Sequence, residues 1–290
     1  MSTGAVAAGG TPGEPRHGVR IAVIWAVATA IVVPLVIWVV GPHIPPDHAS
    51  VQSSDQHTIN VVLTSLATPV LLFIWVYFGY AIAVFRRAGE EIVDGPPLEG
   101  NARVQLIWLA VTSVLVLGLA TYGTVDLLNT NGAGDGSGQG PSPLVKPPSG
   151  QKVLQVQVIG QQWLWTFRYP SYGGVETPYL AIPANEYVAF HVTSLDVDHS
   201  FWAYELGVKA DAIPGNDNVA YVKALKVMSF QIRCAELCGL WHGHMNTIGH
   251  VLTQAGFAAW IAKQQLDYRG VTPYLPPYSN VYYPPPSRRA

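Results

Sequence analysis

The sequence predicts a membrane-anchored α plus all-β chain, in which two to three N-terminal transmembrane helices precede an antiparallel β-sandwich. Three observations carry that expectation. Long apolar runs occupy much of residues 21–122, short alternating runs begin after Lys152, and both cysteines fall within one loop of twelve residues. Hydrophobic residues make up 49% of the 290 and charged ones 12%, about half the charged fraction usual in soluble domains, as suits a chain divided between lipid and water. A net charge of -2 gives nucleic acid or another charged polymer no basis as a partner.

Residues 1–18 are rich in Gly, Ala and Pro without periodicity and read as a disordered tail. The run Ile21 to Val40 is uncharged and twenty residues long, which matches the roughly 20 that a helix needs to cross a hydrocarbon core. A first transmembrane helix or signal anchor is therefore placed at 19–40. A cleaved signal peptide competes with it, but such a peptide has an apolar region of about 7–15 residues and a small-x-small cleavage site. The following Gly41-Pro42-His43-Ile44-Pro45-Pro46 offers no such site. Two further runs, Ile59 to Phe85 and Val104 to Tyr122, make a transmembrane hairpin over 59–122, with Pro34 and Pro69 inside helices. Arg16 and Arg20 precede the first run, and Arg86, Arg87 and Arg103 lie between the second and third, whereas 41–58 has no Lys or Arg. By the positive-inside rule the N-terminus is cytoplasmic and everything after Tyr122 is outside a multi-pass cell-membrane protein.

Residues 129–150 form a Gly/Ser/Pro tether, and 151–268 a separate outer domain. Within it Val153 to Val158, Trp163 to Phe167, Tyr187 to Val192, Val227 to Ile232 and Thr247 to Leu252 alternate as strands do. Ala255 to Leu266 has helical spacing, with Phe257, Trp260 and Ile261 on one face. Residues 271–290 are rich in Pro and Tyr and have neither period, which suggests polyproline II or an irregular ribbon.

The most informative stretch is Cys234-Ala-Glu-Leu-Cys238-Gly-Leu-Trp-His242-Gly-His-Met245. Thiolates and a thioether are soft ligands and imidazole is borderline, so the mixture suits copper better than calcium or magnesium. Two thiolates repel unless cations lie between them, which favours a dinuclear centre with a further histidine from elsewhere. A Cys234–Cys238 disulfide and a zinc site are the competing readings. The first closes too short a loop to gain much, and the second has no use for a thioether. Leu240 and Trp241 read as core packing.

The pattern Cys-x-Glu-x-Cys-x-x-x-His-x-x-Met resembles the dinuclear copper loop of cytochrome c oxidase subunit II. Asp196-Val-Asp-His199-Ser-Phe-Trp202, Gly207 to Gly215 and Gln162-Trp163-Leu-Trp165 resemble other segments of that family, in its order, and the likeness runs over roughly 55–267. The resemblance implies a cupredoxin-like sandwich. It implies copper ligation by His199, Cys234, Glu236 through its carbonyl, Cys238, His242 and Met245, and magnesium held by the Glu236 carboxylate at the boundary with subunit I. It also implies that electrons from cytochrome c, soluble or tethered, arrive at Trp163 and pass through the copper pair to a haem in subunit I. There oxygen becomes water and protons are pumped, so the oxygen-reducing site is on another chain of a multi-subunit oxidase, with membrane lipid around the anchors.

Other residues read more plainly. His191 and His250 are surface or satisfied histidines, and His244 yields to His242 because the family's ligand stands three before the methionine. Trp163 and Trp165 share a strand face, so either could be packing. Residues 150–269 hold eight Lys and Arg against nine Asp and Glu, too even for strong steering of a basic cytochrome. Gln105 stands where the family typically has Glu on its proton path; an amide cannot exchange protons there, so either another group such as Glu99 loads that path or the path is differently arranged. A copper-free quinol oxidase subunit II, a nitrous oxide reductase and a membrane-anchored copper carrier are the rival functions.

Overall fold

In the computed structural model of the chain, residues 16–46, 48–86, 100–129, 147 and 150–275 are described. The tail before Arg16, most of the 129–150 tether, Glu99 and the Pro/Tyr-rich segment beyond Leu275 lie outside the described residues. By internal contacts the chain divides into two units, Met1–Ile44 with Ile59–Pro97, and Pro45–Thr58 with Leu98–Ala290.

In the first unit, helix α1 (His17–Leu35) continues into a wider π-type turn, Val36–Val40, and a 3-10 turn, Gly41–His43. Pro34 removes a ladder donor just before the widened turn. No residue of α1 is buried, as expected of a helix that is apolar all round and meant to face hydrocarbon. Helix α2 (Val51–Val84) carries Pro69 internally. The Trp25 indole N–H donates to the Pro69 carbonyl at 2.8 Å, and His17 Nδ1 lies 2.7 Å from the Tyr80 hydroxyl. Polar groups that would be costly in lipid thus find partners between the two helices.

At 34 residues α2 is about 51 Å long, well beyond the roughly 30 Å of a hydrocarbon core. It begins eight residues before the apolar run that predicted it, and Val51 to Thr58 belong to the second unit. There Ser50 Oγ donates to the Leu206 carbonyl at 2.7 Å, Gln56 Nε2 donates to the Gly207 carbonyl at 2.7 Å, and the Leu225 N–H donates to the Ala49 carbonyl at 2.8 Å. These polar anchors were not legible as such, because Ser and Gln before an apolar run read as loop. Helix α3 (Ala102–Asn129) is capped by Asn101 Oδ1, which accepts from the Arg103 and Val104 amides at 3.0 and 3.3 Å.

The outer domain is a sandwich of two five-stranded sheets. The strands are β1 (Val153–Gln161), β2 (Leu164–Tyr169), β3 (Val175–Thr177), β4 (Leu180–Pro183), β5 (Tyr187–Ser194), β6 (His199–Ala203), β7 (Val208–Ala212), β8 (Asn218–Lys223), β9 (Met228–Cys234) and β10 (Asn246–Leu252). One sheet has the order β3-β2-β1-β5-β8 and the other β4-β10-β9-β6-β7. All five strands expected from alternation are present; β3, β4, β6, β7 and β8 are three to six residues long and had too little pattern to be read. The architecture is the expected two-sheet sandwich with one refinement: β1 pairs with β5, and β10 with β4, in parallel. A hairpin cannot join parallel neighbours, and the excursion through β2, β3 and β4 supplies the crossover.

Phe167, Phe190, Phe201, Phe230 and Ile232 fill the space between the sheets. Helix α4 (Gln254–Asp267), N-capped by Thr253 Oγ1 at 3.0 Å from the Gly256 amide, buries Phe257 and Ile261 against this core, while Trp260 is half-buried. Tyr169 ties the sheets together. Its hydroxyl donates to the Ala181 carbonyl at 2.9 Å and accepts from the Ala181 amide at 3.0 Å, and burial raises its pKa well above the phenol's usual value. Tyr169→Phe should leave both Ala181 groups unsatisfied and cost about 1–3 kcal/mol, read as a lowered midpoint in denaturant unfolding of the outer domain.

Candidate metal centre

The candidate ligands come from three places in one sheet. His199 opens β6, Cys234 closes β9, and Cys238, His242 and Met245 lie in the loop from β9 to β10. The loop is fixed to its strands by main-chain bonds, Cys234 N–H to the Met245 carbonyl at 3.0 Å and Ala235 N–H to the Ser200 carbonyl at 2.9 Å. A 3-10 turn at His242–His244 then brings Met245 back under Cys238.

The side chains converge. Cys234 Sγ and Cys238 Sγ are 3.8 Å apart, both thiols are free, and they are 9% and 3% exposed. His199 Nδ1 is 3.8 Å from Cys234 Sγ, His242 Nδ1 is 3.6 Å from Cys238 Sγ, and Met245 Sδ is 3.8 Å from Cys238 Sγ. The Glu236 carbonyl lies 3.2 Å from Cys234 Sγ, while the Glu236 side chain is exposed. The sulfurs are too far apart for a bond of about 2.05 Å, yet both could reach one ion at about 2.3 Å. One imidazole stands at each end of the thiol pair. His199, Cys234 and Cys238 all place a ligand atom within 4.8 Å of one another. The chemistry of this donor set, two sulfurs flanked by two imidazoles and a thioether, fits copper.

His199 is held by a carboxylate. Its Nε2 donates to Asp196 Oδ1 at 2.8 Å, so Nδ1 is the nitrogen presented to Cys234. Desolvation opposes ionisation of Asp196, but hydrogen bonds from the Gln162 amide, from His199 and from the Val197 amide outweigh it and hold the carboxyl below its usual range. Gly160 makes room for the imidazole: a Cβ there would come within 2.9 Å of His199 Cδ2. Burial, then the hydrogen bond and charge of Cys234, push the Cys238 thiol up from 9.0 to about 11.

Two sequence expectations change here. Leu240 and Trp241 are not core: they are 86% and 50% exposed, as Leu237 is 79%, because the loop turns outward to bring its sulfurs inward. Trp163 and Trp165 do not share a face. Trp165 is buried in β2 against His199 and Phe201, with ring centroids 5.9 and 5.7 Å away, whereas Trp163 precedes β2 in the β1–β2 turn and is half-buried. Its indole N–H donates to the Cys238 carbonyl at 3.1 Å. The histidines set aside are accounted for: His191 lies between Asp217 and Gln155, His250 Nδ1 is 3.0 Å from Ser229 Oγ, and His244 is exposed beside Trp241. Beside His242 a cavity of about 530 Å³ is lined by Arg233, Cys234, Met245, Asn246 and Ile248 among others.

A sequence model described as "Cytochrome C oxidase subunit II, periplasmic domain" matches residues 175–251. Cytochrome c oxidase subunit 2 of Thermostichus vulcanus is 30% identical over 283 residues, covering 83% of this chain and 85% of that protein. The chain belongs to the cytochrome c oxidase subunit 2 family. The same protein of Bacillus sp. (strain PS3) is 33% identical over 190 residues, 62% of this chain and 50% of that one. The crystal structure of the periplasmic domain of subunit II of cytochrome oxidase of Bradyrhizobium japonicum is 30% identical, with a TM-score of 0.39 over 42% of this chain and 98% of that one.

As a member of the cytochrome c oxidase subunit 2 family, with three helices among the described residues long and apolar enough to cross a membrane, this is a membrane-anchored chain with its sandwich on the outer side. The matched stretch contains all six candidate ligands and omits Gln162 and Trp163. Sequence reasoning gave no role to Asp196 or Gln162. The signal for Asp196 was its place three residues before His199; Gln162 gave none, since its partner at Cys238 is 76 residues away.

The raised Cys238 pKa has a definite sign. Folding favours the protonated thiol, so this stabilisation is complete below the unfolded value near 9 and is lost as pH rises through about 11. The metal-free domain should therefore lose thermal stability between pH 9 and 11. Cys238→Ser or loading with copper should remove that component and leave the alkaline loss due to other groups held upward, Tyr169 and Tyr221 among them, in melting curves recorded across the range.

Proposed function

We propose that this chain is the electron-accepting subunit of a respiratory cytochrome c oxidase, with a dinuclear copper centre at Cys234, Cys238, His199, His242, Met245 and the Glu236 carbonyl. The observation that carries the reading is the pair of free buried thiols with one imidazole turned onto each. A bound copper pair would supply a one-electron carrier between cytochrome c and the haem of subunit I, where oxygen is reduced to water with proton pumping.

The chain's own residues account for the rest. Cys234 and Cys238 lie in an apolar core, so uptake of metal must displace their protons, and the site is closed to most water. Asp196 orients His199 as a carboxylate orients a metal-binding imidazole. Trp163, half-buried and bonded to the Cys238 carbonyl, is the contact offered to cytochrome c. The exposed Leu164, Leu237 and Leu240 give that side an apolar character. The Glu236 carboxylate faces outward and is free to hold magnesium at the boundary with subunit I. Gln105 is exposed near the start of α3, and its amide cannot relay a proton, so a proton path along this helix would use another group.

The copper-free quinol oxidase reading is disfavoured by the same geometry. Without metal, two thiols and two ring nitrogens would be gathered within 4 Å contacts for no structural gain that apolar side chains could not supply. The purified protein should bind two coppers per chain and show the purple absorption of a mixed-valence pair when oxidised. Cys234→Ser should abolish the dinuclear spectrum and His244→Ala should leave two coppers in place; a single copper per chain with a mononuclear blue spectrum would refute the reading.

A further inference from the structure

We infer that Gln162 is a positioning residue that holds the Trp163 indole against the metal loop, an inference that rests on Trp163 being the contact for cytochrome c. All side chains converging on the thiols belong to the sheet that contains β6, β9 and β10. The other sheet meets His199 through Gly160 and Trp165, and in its β1–β2 turn Gln162 makes a bond to each side of the site. Its backbone N–H donates to Asp196 Oδ2 at 2.7 Å, and Asp196 Oδ1 accepts from His199 Nε2 at 2.8 Å. Its side-chain Nε2 donates to the Cys238 carbonyl at 2.8 Å, the same oxygen that accepts from Trp163 Nε1 at 3.1 Å.

The Gly239 backbone explains why the two donors fit together. Its φ is +114°, a region open to glycine, and a Cβ there would lie 3.1 Å from Gln162 Nε2 and 3.4 Å from Trp163 Cζ2. The indole therefore lies against bare backbone with the amide beside it. Gln162 is itself exposed, so its side chain gains nothing from core burial, and its bond to Cys238 is the interaction that sets it in place. The indole packs on the core along one side and is tied to the loop by one 3.1 Å bond, and a second donor from the adjacent residue fixes the orientation of the turn that carries it. Electron transfer from a docked donor depends steeply on the contact distance, which is the quantity Gln162 controls.

The test uses the assembled oxidase with Gln162→Met, which keeps the side-chain length and the backbone bond to Asp196 but removes the amide donor. Gln162→Ala serves as a second variant, and Trp163→Phe runs in parallel. Reduction by soluble reduced cytochrome c should slow by about tenfold in the Gln162 variants, as loss of positioning does, with copper content and onward transfer to the haem unchanged. The double variant Gln162→Met/Trp163→Phe should be no slower than Trp163→Phe alone, because both changes act through one indole. In ¹⁵N-indole-labelled protein the Trp163 Nε1–H should exchange with solvent faster in Gln162→Met, with or without copper. If Trp163→Phe slows reduction and the Gln162 variants do not, the inference falls and the role of Trp163 stands. If Trp163→Phe has no effect, the Trp163 reading falls and takes the inference with it. Loss of copper in both Gln162 variants would show that Gln162 holds the metal loop itself, and would also overturn the inference.

Discussion

Two thiols held 3.8 Å apart inside an apolar sandwich are the constraint on which this outer domain depends. Burial first, then the hydrogen bond and the repulsive charge of Cys234, push the Cys238 thiol upward there. A cation between them relieves that repulsion, which is why metal affinity and folding are coupled at such a site. The neighbouring structure holds the candidate ligands in place: His199 is bonded to Asp196, the loop is clipped by main-chain bonds at Cys234 and Ala235, and Met245 is buried.

The same loop has two faces with opposite tasks. Turning Cys238 and Met245 inward forces Leu237, Leu240 and Trp241 outward, so an apolar surface surrounds the paired thiols. For a domain whose acids and bases are nearly balanced, contact through such a surface is a better basis for partner binding than long-range attraction. The exposed Leu residues near Trp163 and the cavity beside His242 place these features on the loop's own surroundings rather than at a distance from them.

Helix α2 supplies a second constraint. Ser50, just before it, and Gln56 within it are hydrogen-bonded to the sandwich at Leu206 and Gly207, and the Lys223 amide donates to Gln52 Oε1 at 3.2 Å. Ala49, Ser50, Gln52 and Ser53 are all fully buried. The segment before the apolar run is therefore part of the outer domain's fold. A stretch of Ser, Gln and His gives no such hint, because its polarity is satisfied by partners more than 150 positions along the chain.

The amino-acid sequence by itself determined the membrane anchors, five of the strands, the final helix and the gathering of soft donors in one loop, because each is a local property. Twenty apolar residues span a bilayer wherever they occur, alternation marks a half-buried strand, and soft ligands at close spacing select a metal. Tertiary structure alone decided that β1 lies parallel to β5, that Trp165 is core while Trp163 is at the surface, and that Leu240 and Trp241 face outward. It also decided the partnerships of Asp196 with His199 and Gln162 with Cys238. Those depend on which sheet a strand joins and on which way a loop must turn to bury its sulfurs, and both are set by packing between segments far apart in the chain rather than by the residues nearby.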